Sequence, residues 1–389
     1  MQSSIFDPVV DRANSNSIKW KLYDPDVLPM WVADMDFKSP PAIIEALRER
    51  VEHGVFGYER APKELELAVV NWCAKQYGWH IDIPDIVFLP GLVSGLNLTA
   101  RAFGYMGDNA TTLTPVYPPF LSAPLNQGLT CNGCQLTLVG EGEHLQYEID
   151  YSAFEKSITP RTHLFYLCHP HNPIGKVFTR EELLKLAEIC IKHNVLIISD
   201  EIHCDLMLDG GKHTPMASLS PEIAEHCVTL MAPSKTFNVP GLGCSFAIVT
   251  NKRLRERLQH AEMGIVPHVN ALGYTAALAA YTQCDDWLAG LQGYLTENRD
   301  VMLDYLAENI PHIRATKPAG TYLGWLDCRN SGISGNPYDF FLKESRVALN
   351  SGPLFGPGGE GFVRINFGTP RALMLQGLDR MKIALDKLM

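Results

Sequence analysis

The chain is short of several things at once, and each shortage removes a class of function. No apolar run in its 389 residues approaches the length of a bilayer-spanning helix. The opening Met1-Gln-Ser-Ser-Ile-Phe-Asp7 lacks the basic-then-apolar plan of a secretion signal, so a cytoplasmic protein with no membrane partner is expected. Positive charge is scarce: 33 Lys and Arg face 43 Asp and Glu, a formal charge of -10. Nucleic acid and anionic membranes need a basic face, so neither is an expected partner. Cysteine is thin, with ten residues spread along the chain. That usage fits reduced thiols rather than a disulfide-stapled scaffold. Cys131-Asn-Gly-Cys134 is a lone C-x-x-C without a second pair at zinc spacing, and no metal is expected there. No G-x-G-x-x-G follows a strand-like run, and neither repeats nor low-complexity stretches occur. Dinucleotide sites, solenoids and disordered tails are thereby disfavoured.

What is present is the composition of a globular protein: 46% hydrophobic, 20% charged and 9% aromatic. The length suggests two cores rather than one. Ser39-Pro-Pro reads as a helix start, with Ile43, Ile44, Leu47 and Val51 at helical spacing up to Gly54. Leu65, Val69, Trp72 and Cys73 form a second helical pattern that closes at Gly78. From there the chain alternates. Strand-like runs are expected at Ile86–Leu89, Thr111–Thr114, Cys134–Val139, His163–Cys168, Val195–Ile198, Val228–Met231 and Ser245–Val249. Helical patterns lie between them at Gly91–Phe103 and Thr179–Asn194, where Glu181 and Glu182 suit the dipole of a helix start.

Apolar runs separated by amphipathic helices predict an α/β fold whose large domain holds a mostly parallel seven-stranded sheet, covered by helices. Beyond Pro267 the pattern becomes α+β: helices at Ala271–Tyr281, through Leu288–Leu306 and from Leu373 to Leu385, with strands at Tyr322–Leu326 and Phe362–Asn366. The expected division is an N-terminal arm over residues 1–44 that joins the small domain, a large domain over 45–284, and a small domain over 285–389.

Ligands of open α/β sheets sit outside the carboxyl ends of the strands. Asn172, Asp200 and Lys235 each follow a different apolar run, on that side. A lysine amine held there can combine with a carbonyl cofactor and later move protons. Read singly, each residue has a plainer use: Lys235 as a surface cation, Asp200 as a helix cap, Asn172 in an Asn-Pro turn.

Three stretches in this order, His171-Asn-Pro-Ile-Gly175, Ile197-Ile-Ser-Asp-Glu-Ile-His203 and Met231-Ala-Pro-Ser-Lys-Thr-Phe-Asn-Val-Pro-Gly-Leu-Gly243, resemble the fold-type I pyridoxal 5'-phosphate enzymes, the aminotransferase-like superfamily. The branch is set by Pro29-Met-Trp-Val-Ala-Asp-Met-Asp36, Gly54-Val-Phe-Gly-Tyr58, His203 in place of tyrosine, and Thr321-Tyr-Leu-Gly-Trp-Leu-Asp327. These look like the MalY/PatB-type cystathionine β-lyases, or C–S lyases, and the resemblance runs nearly full length.

The resemblance implies roles residue by residue. Lys235 would be the catalytic amine, Asp200 the acid at the pyridine nitrogen and Asn172 the donor to the phenolic oxygen. Tyr117, in Thr114-Pro-Val-Tyr-Pro-Pro-Phe120, would stack on the ring. The backbone near Val93 and Ser94, with the Ser234 hydroxyl, would cradle the phosphate. Tyr58 would reach that phosphate from the neighbouring subunit, which makes a homodimer with shared sites the expected unit. Arg364 would grip a substrate α-carboxylate. His203 would donate toward the ring oxygen or support Asp200.

Some positions depart from the pattern. Ile174 replaces the usual threonine, Ala232 stands where many relatives have serine, and Gly243 where aminotransferases often have arginine. The implied activity is β-elimination of cysteine-S-conjugates, cystathionine foremost, to thiol, pyruvate and ammonia. An aminotransferase, and a regulator of the same fold that binds a protein partner, are the rival readings.

Overall fold

The computed structural model describes residues 4–140 and 144–388, so Met1–Ser3 of the opening stretch lie outside the described residues. Seven strands, numbered in chain order, build the large sheet: β1 Ile86–Leu89, β2 Asn109–Thr114, β3 Thr130–Gln135, β4 Thr162–Cys168, β5 Leu196–Asp200, β6 Cys227–Met231 and β7 Ser245–Ile248. Their spatial order is β1-β7-β6-β5-β4-β2-β3. Every neighbouring pair is parallel except the two that involve β7, which runs antiparallel to β1 and β6. The expected mostly parallel seven-stranded sheet is therefore present.

Side chains alternate across a strand. In β4, Leu164, Tyr166 and Cys168 join a core beneath helices Leu92–Phe103 and Lys252–Glu262, while Phe165 and Leu167 enter the core on the other face. Burial on both sides explains why the strands read as unbroken apolar runs. The helix Arg180–Lys192 starts on a capping box, in which Thr179 Oγ1 accepts from the Glu182 amide and the Glu182 carboxylate accepts from the Thr179 amide.

One strand differs from expectation. The stretch Cys134–Val139 is two elements: β3 ends at Gln135, and Thr137–Val139 pairs instead with Gln146–Glu148 in a separate hairpin. Between them the Leu136 amide still donates to the Thr114 carbonyl. β3 is an edge strand of sequence TCNGCQ, mostly exposed, so it carries no apolar run to announce it. Cys131 and Cys134 are three apart on this strand and point to opposite faces.

Ser39 also differs. The helix runs Pro41–His53 without a side-chain cap, and the Ser39 hydroxyl donates to the Asn238 carbonyl instead. This helix passes through the expected 44/45 boundary without a break.

The smaller sheet is antiparallel, in the order Arg314–Ala315, Leu323–Asp327, Phe362–Asn366, Asn350–Ser351. It is bordered by the 25-residue helix Asp285–Asn309 and the helix Arg371–Leu385. The N-terminal arm contributes Leu28–Pro29, which pairs in parallel with Val347–Ala348 as a separate two-stranded sheet. No helix among the described residues is long and apolar enough to cross a membrane.

The arm is fastened by buried charge. Asp36, 3% exposed, accepts from Lys19 Nζ at 2.7 Å, Arg12 Nη1 at 2.7 Å and Trp20 Nε1 at 2.9 Å. Burial opposes ionisation of this carboxyl, but Lys19, Trp20 and Arg12 outweigh it and hold its pKa below the ordinary 3.8. With a depressed folded-state pKa, the stabilisation is full above that ordinary value and is lost as pH falls through the folded one. Asp36→Asn would leave Lys19 and Arg12 with only the less buried Asp34 as counter-charge. It is expected to lower unfolding stability by about 3 kcal/mol in denaturant titrations at neutral pH, with the deficit shrinking in acid.

Candidate active site

The loops after β1, β2, β4, β5 and β6 all open on the carboxyl edge of the sheet, as this architecture requires. They meet the arm and the small sheet around a cavity of about 390 Å³, in the range of small-molecule sites. Nine of the ten residues singled out in the sequence line it: Val93, Ser94, Tyr117, Asn172, Asp200, His203, Ser234, Lys235 and Arg364. Tyr58 does not. It is fully exposed, in the extended segment between the helices Pro41–His53 and Lys63–Tyr77.

Lys235 stands on a single helical turn, Pro233–Thr236, entered directly from β6. Its Nζ donates to the Ala33 carbonyl of the arm. Burial brings its pKa down to about 8; Arg364 pushes the same way, and Asp34 and Asp200 push back. Asp200 closes β5, where its Oδ1 accepts from the Ile202 amide at 3.1 Å. Burial raises its pKa to about 7; that amide opposes the shift, Glu201 adds to it and Lys235 subtracts.

Asn172 is buried, and its Oδ1 accepts from Arg364 Nη1 at 3.0 Å. Among the described residues its side-chain NH2 has no hydrogen-bond partner, and Asn172 lines the cavity. Arg364, from the interior strand Phe362–Asn366, also donates to the Trp31 carbonyl at 2.8 Å and to Asn350 Oδ1, while its Nε has no partner. Burial lowers its pKa to about 10.

His203 is buried, with Nδ1 unpartnered and no hydrogen bond to Asp200. Burial, then Lys235 and Arg364, hold its pKa well below the ordinary value, so the imidazole is neutral. Val93 and Ser94 occupy the first turn of the helix Leu92–Phe103, which has no side-chain cap. Their amides are open toward the cavity, an arrangement suited to an anion. Gly243 has φ +56°, and a Cβ there would lie 3.0 Å from the Pro90 carbonyl oxygen. Glycine is thus required by the backbone where an arginine would otherwise be expected.

Four participants were not anticipated: the Trp31 and Ala33 carbonyls, the Asn350 amide and the Tyr322 hydroxyl, which donates to the Ala33 carbonyl at 2.8 Å. Trp31, Ala33 and Tyr322 lie in stretches that carry the family resemblance, but backbone acceptors have no side-chain signature. Asn350 sits in a two-residue strand too short to show periodicity.

An α/β unit with a lysine and an acid at the carboxyl edge of its large sheet, faced across one cavity by an arginine from the small sheet, defines the aminotransferase-like class of proteins. The chain belongs to the aminotransferase class I and II family, which it matches over residues 25–381. It is 41% identical to cystathionine beta-lyase PatB of Bacillus subtilis (strain 168), over 98% of this chain and 100% of that one. It also matches the structure of cystalysin from Treponema denticola, which contains a pyridoxal 5'-phosphate cofactor, at TM-score 0.95 and 33% identity, covering 100% of both chains. A third similarity is to the pyridoxal-phosphate-bound C–S lyase of Staphylococcus hominis, at TM-score 0.92 and 33% identity over 98% of each chain.

The acid's raised pKa carries a stability consequence. Asp200 ionises in the fold only near 7, against an ordinary 3.8, so its burial cost is absent below 3.8, grows across that window and is complete above about 7. Asp200→Asn carries no charge at any pH. In thermal melts without added ligand, the variant is expected to exceed the parent by several degrees at pH 8, a gain of a few kcal/mol at most. The two melting curves should converge near pH 4.

Proposed function

We propose that this protein is a pyridoxal 5'-phosphate-dependent carbon–sulfur lyase that eliminates the Cβ sulfur of cysteine-S-conjugates, with cystathionine as the reference substrate. The observation that carries the reading is the meeting of Lys235, Asp200, Asn172 and Arg364, from four separate stretches, on one cavity. The names of the similar lyases support it.

The residues present fit the cofactor. An uncapped helix start, the unbonded amide NH2 of Asn172 and the unpartnered His203 Nδ1 are polar groups without protein partners on a cavity of suitable size. The Val93 and Ser94 amides and the Ser234 hydroxyl would take the phosphate, and Tyr117 the ring face. Asp200 would take the ring nitrogen, Asn172 the phenolic oxygen and Lys235 the aldehyde carbon. Bound there, the group supplies an electron sink for the pair left at the substrate Cα.

The chain does the rest. Arg364 fixes the substrate carboxylate with its planar fork. The amine of Lys235, whose burial brings its pKa down to about 8 and so supplies a substantial neutral fraction there, takes the Cα proton. The sulfur then leaves Cβ with the bonding pair as a thiolate, and a double bond forms between Cα and Cβ. The resulting 2-aminoacrylate takes up water and breaks down to pyruvate and ammonia. Asp200 stays close enough to Lys235 to feel its charge, which keeps one acid and one base at opposite ends of the reacting system.

The working unit is a homodimer in the cytoplasm, with Tyr58 completing the neighbour's phosphate site. Exposed Val55, Phe56 and Tyr58 give that segment an apolar surface suited to a second copy.

Incubation with cystathionine should release thiol and pyruvate in equal amounts with no 2-oxo acid added. Product that appears only with an acceptor, and without thiol, would instead make the protein a transaminase. Borohydride reduction of the coloured protein should fix the cofactor on Lys235 by peptide mapping, and Lys235→Ala should cut turnover about a thousandfold. Sharing of sites is tested by mixing two inactive variants. Hybrids of Tyr58→Ala with Lys235→Ala subunits restore one intact site per dimer, and no recovery of activity would sink the assignment of Tyr58.

A further inference from the structure

The Ala33 carbonyl accepts two donors at once, Lys235 Nζ and Tyr322 Oη, the latter at 2.8 Å. We propose that Tyr322 is a positioning residue for Lys235, setting the place and the acceptor strength of the carbonyl on which the lysine amine rests. The proposal deepens the lyase reading, since it concerns the base of that reaction.

Three observations converge on it. First, the carbonyl is not free to turn. Ala33 lies in a strap whose neighbouring carbonyls are also held: Trp31 by Arg364 at 2.8 Å, Val32 by Asn366 at 2.6 Å and Asp34 by Asn366 at 2.7 Å. Second, the Tyr322 ring is 1% exposed and packs edge-on against His203, with centroids 5.8 Å apart at 76°, so its hydroxyl has a fixed bearing. Third, the backbone just before it is strained. Thr321 has φ +72°, a left-handed conformation that a β-branched residue adopts only when its surroundings impose it. Its amide is tied to the Leu206 carbonyl at 2.9 Å and its Oγ1 accepts from the Leu323 amide at 3.2 Å. The strain aims Tyr322 across from the small sheet to the strap.

A carbonyl that already accepts from a phenol has less electron density for a second donor. Such an acceptor stabilises an ammonium less than a free carbonyl would, and so favours the neutral amine. The other charged or titratable groups that act on Lys235 are Asp34 from the strap, Asp200 from the end of β5, His203 from the loop after it, and Arg364 from the small sheet. Asp34 and Asp200 favour the ammonium, while Arg364 opposes it. Tyr322 is the group beside them that acts through a shared acceptor. Burial holds its own pKa well above the ordinary 10.0, so it remains a donor throughout the working range.

The test is Tyr322→Phe, which keeps the ring against His203 and removes the hydroxyl alone. In the full-length protein without cofactor, the pH dependence of Lys235 acetylation, followed by mass spectrometry, should shift upward by about half a unit. In the cofactor-loaded enzyme the acid limb of kcat should shift the same way, with kcat down about fivefold and KM little changed. A fluorinated tyrosine placed at position 322 is a stronger donor in the same shape, and it should move both profiles downward. Unchanged acetylation and pH profiles in both variants would overturn the proposal, as would a fall in activity matched only by a fall in melting temperature. Acetylation reads Lys235 directly, so it still decides the question if the protein releases no thiol and the lyase reading fails.

Discussion

Exclusion of water from one cleft decides the protonation state of every group that matters in it. Burial is the largest influence on Lys235, Asp200, His203 and Arg364 alike. It drives acid and bases toward their neutral forms, which narrows the gap between a lysine and an aspartate that would be more than six pH units apart in water. A site whose acid and amine both titrate near neutrality can exchange protons at modest cost. The same arrangement is unfavourable for folding, and the surrounding structure has to supply the compensation.

Much of that compensation comes from the strap of residues 31–36. It contributes no catalytic side chain, yet its carbonyls receive Arg364, Asn366 and Tyr322 from the small-sheet side and Lys235 and Asn238 from the turn after β6. Backbone acceptors satisfy buried donors without adding charge, so among the described residues Arg364 and Lys235 are seated on carbonyls rather than hydrogen-bonded to carboxylates, which would raise their pKa values. Of the strap's carboxylates, Asp34 pairs with Arg12 while still favouring the Lys235 ammonium from a distance. Asp36 closes the strap onto Lys19 and Arg12, away from the cavity. An amine whose pKa is brought down to about 8 and an arginine kept available are thus two results of one choice, to seat these donors on carbonyls.

This division of labour explains what could be seen in the sequence. Lys235, Asp200 and Asn172 were legible because each follows an apolar run, and strand-end placement is a consequence of the fold's topology. The seven-stranded sheet was legible for the same reason, with both faces of its strands buried. β3 was displaced because an exposed edge strand of Thr, Cys, Asn and Gly has no hydrophobic periodicity to betray it. The strap's role was hidden for a different reason: Ala33 acts through its carbonyl, and any residue offers the same atom. Tyr322 could be flagged only as part of a family stretch, since its bearing depends on the left-handed Thr321 before it. Tyr58 was legible as a motif and has no contact with the cavity of its own chain.

The helix-start end of the cavity follows from the same economy of charge. Lys235, His203 and Arg364 are the basic residues on the cavity wall, and Lys235 and Arg364 are engaged by the strap. Among the described residues there is no cation at the helix start Leu92–Phe103, and Gly243 cannot be exchanged for one without displacing the Pro90 carbonyl. A dianion seated there would rest on amides, a hydroxyl and the helix dipole, each weaker than an ion pair. Such a cup gains more from any further donor than a cation-rich one would. A tyrosine on an exposed, apolar segment is well suited to that task, because its ring can bury against a second copy while its hydroxyl reaches the anion. Assembly and cofactor retention would then be linked: what strengthens one strengthens the other.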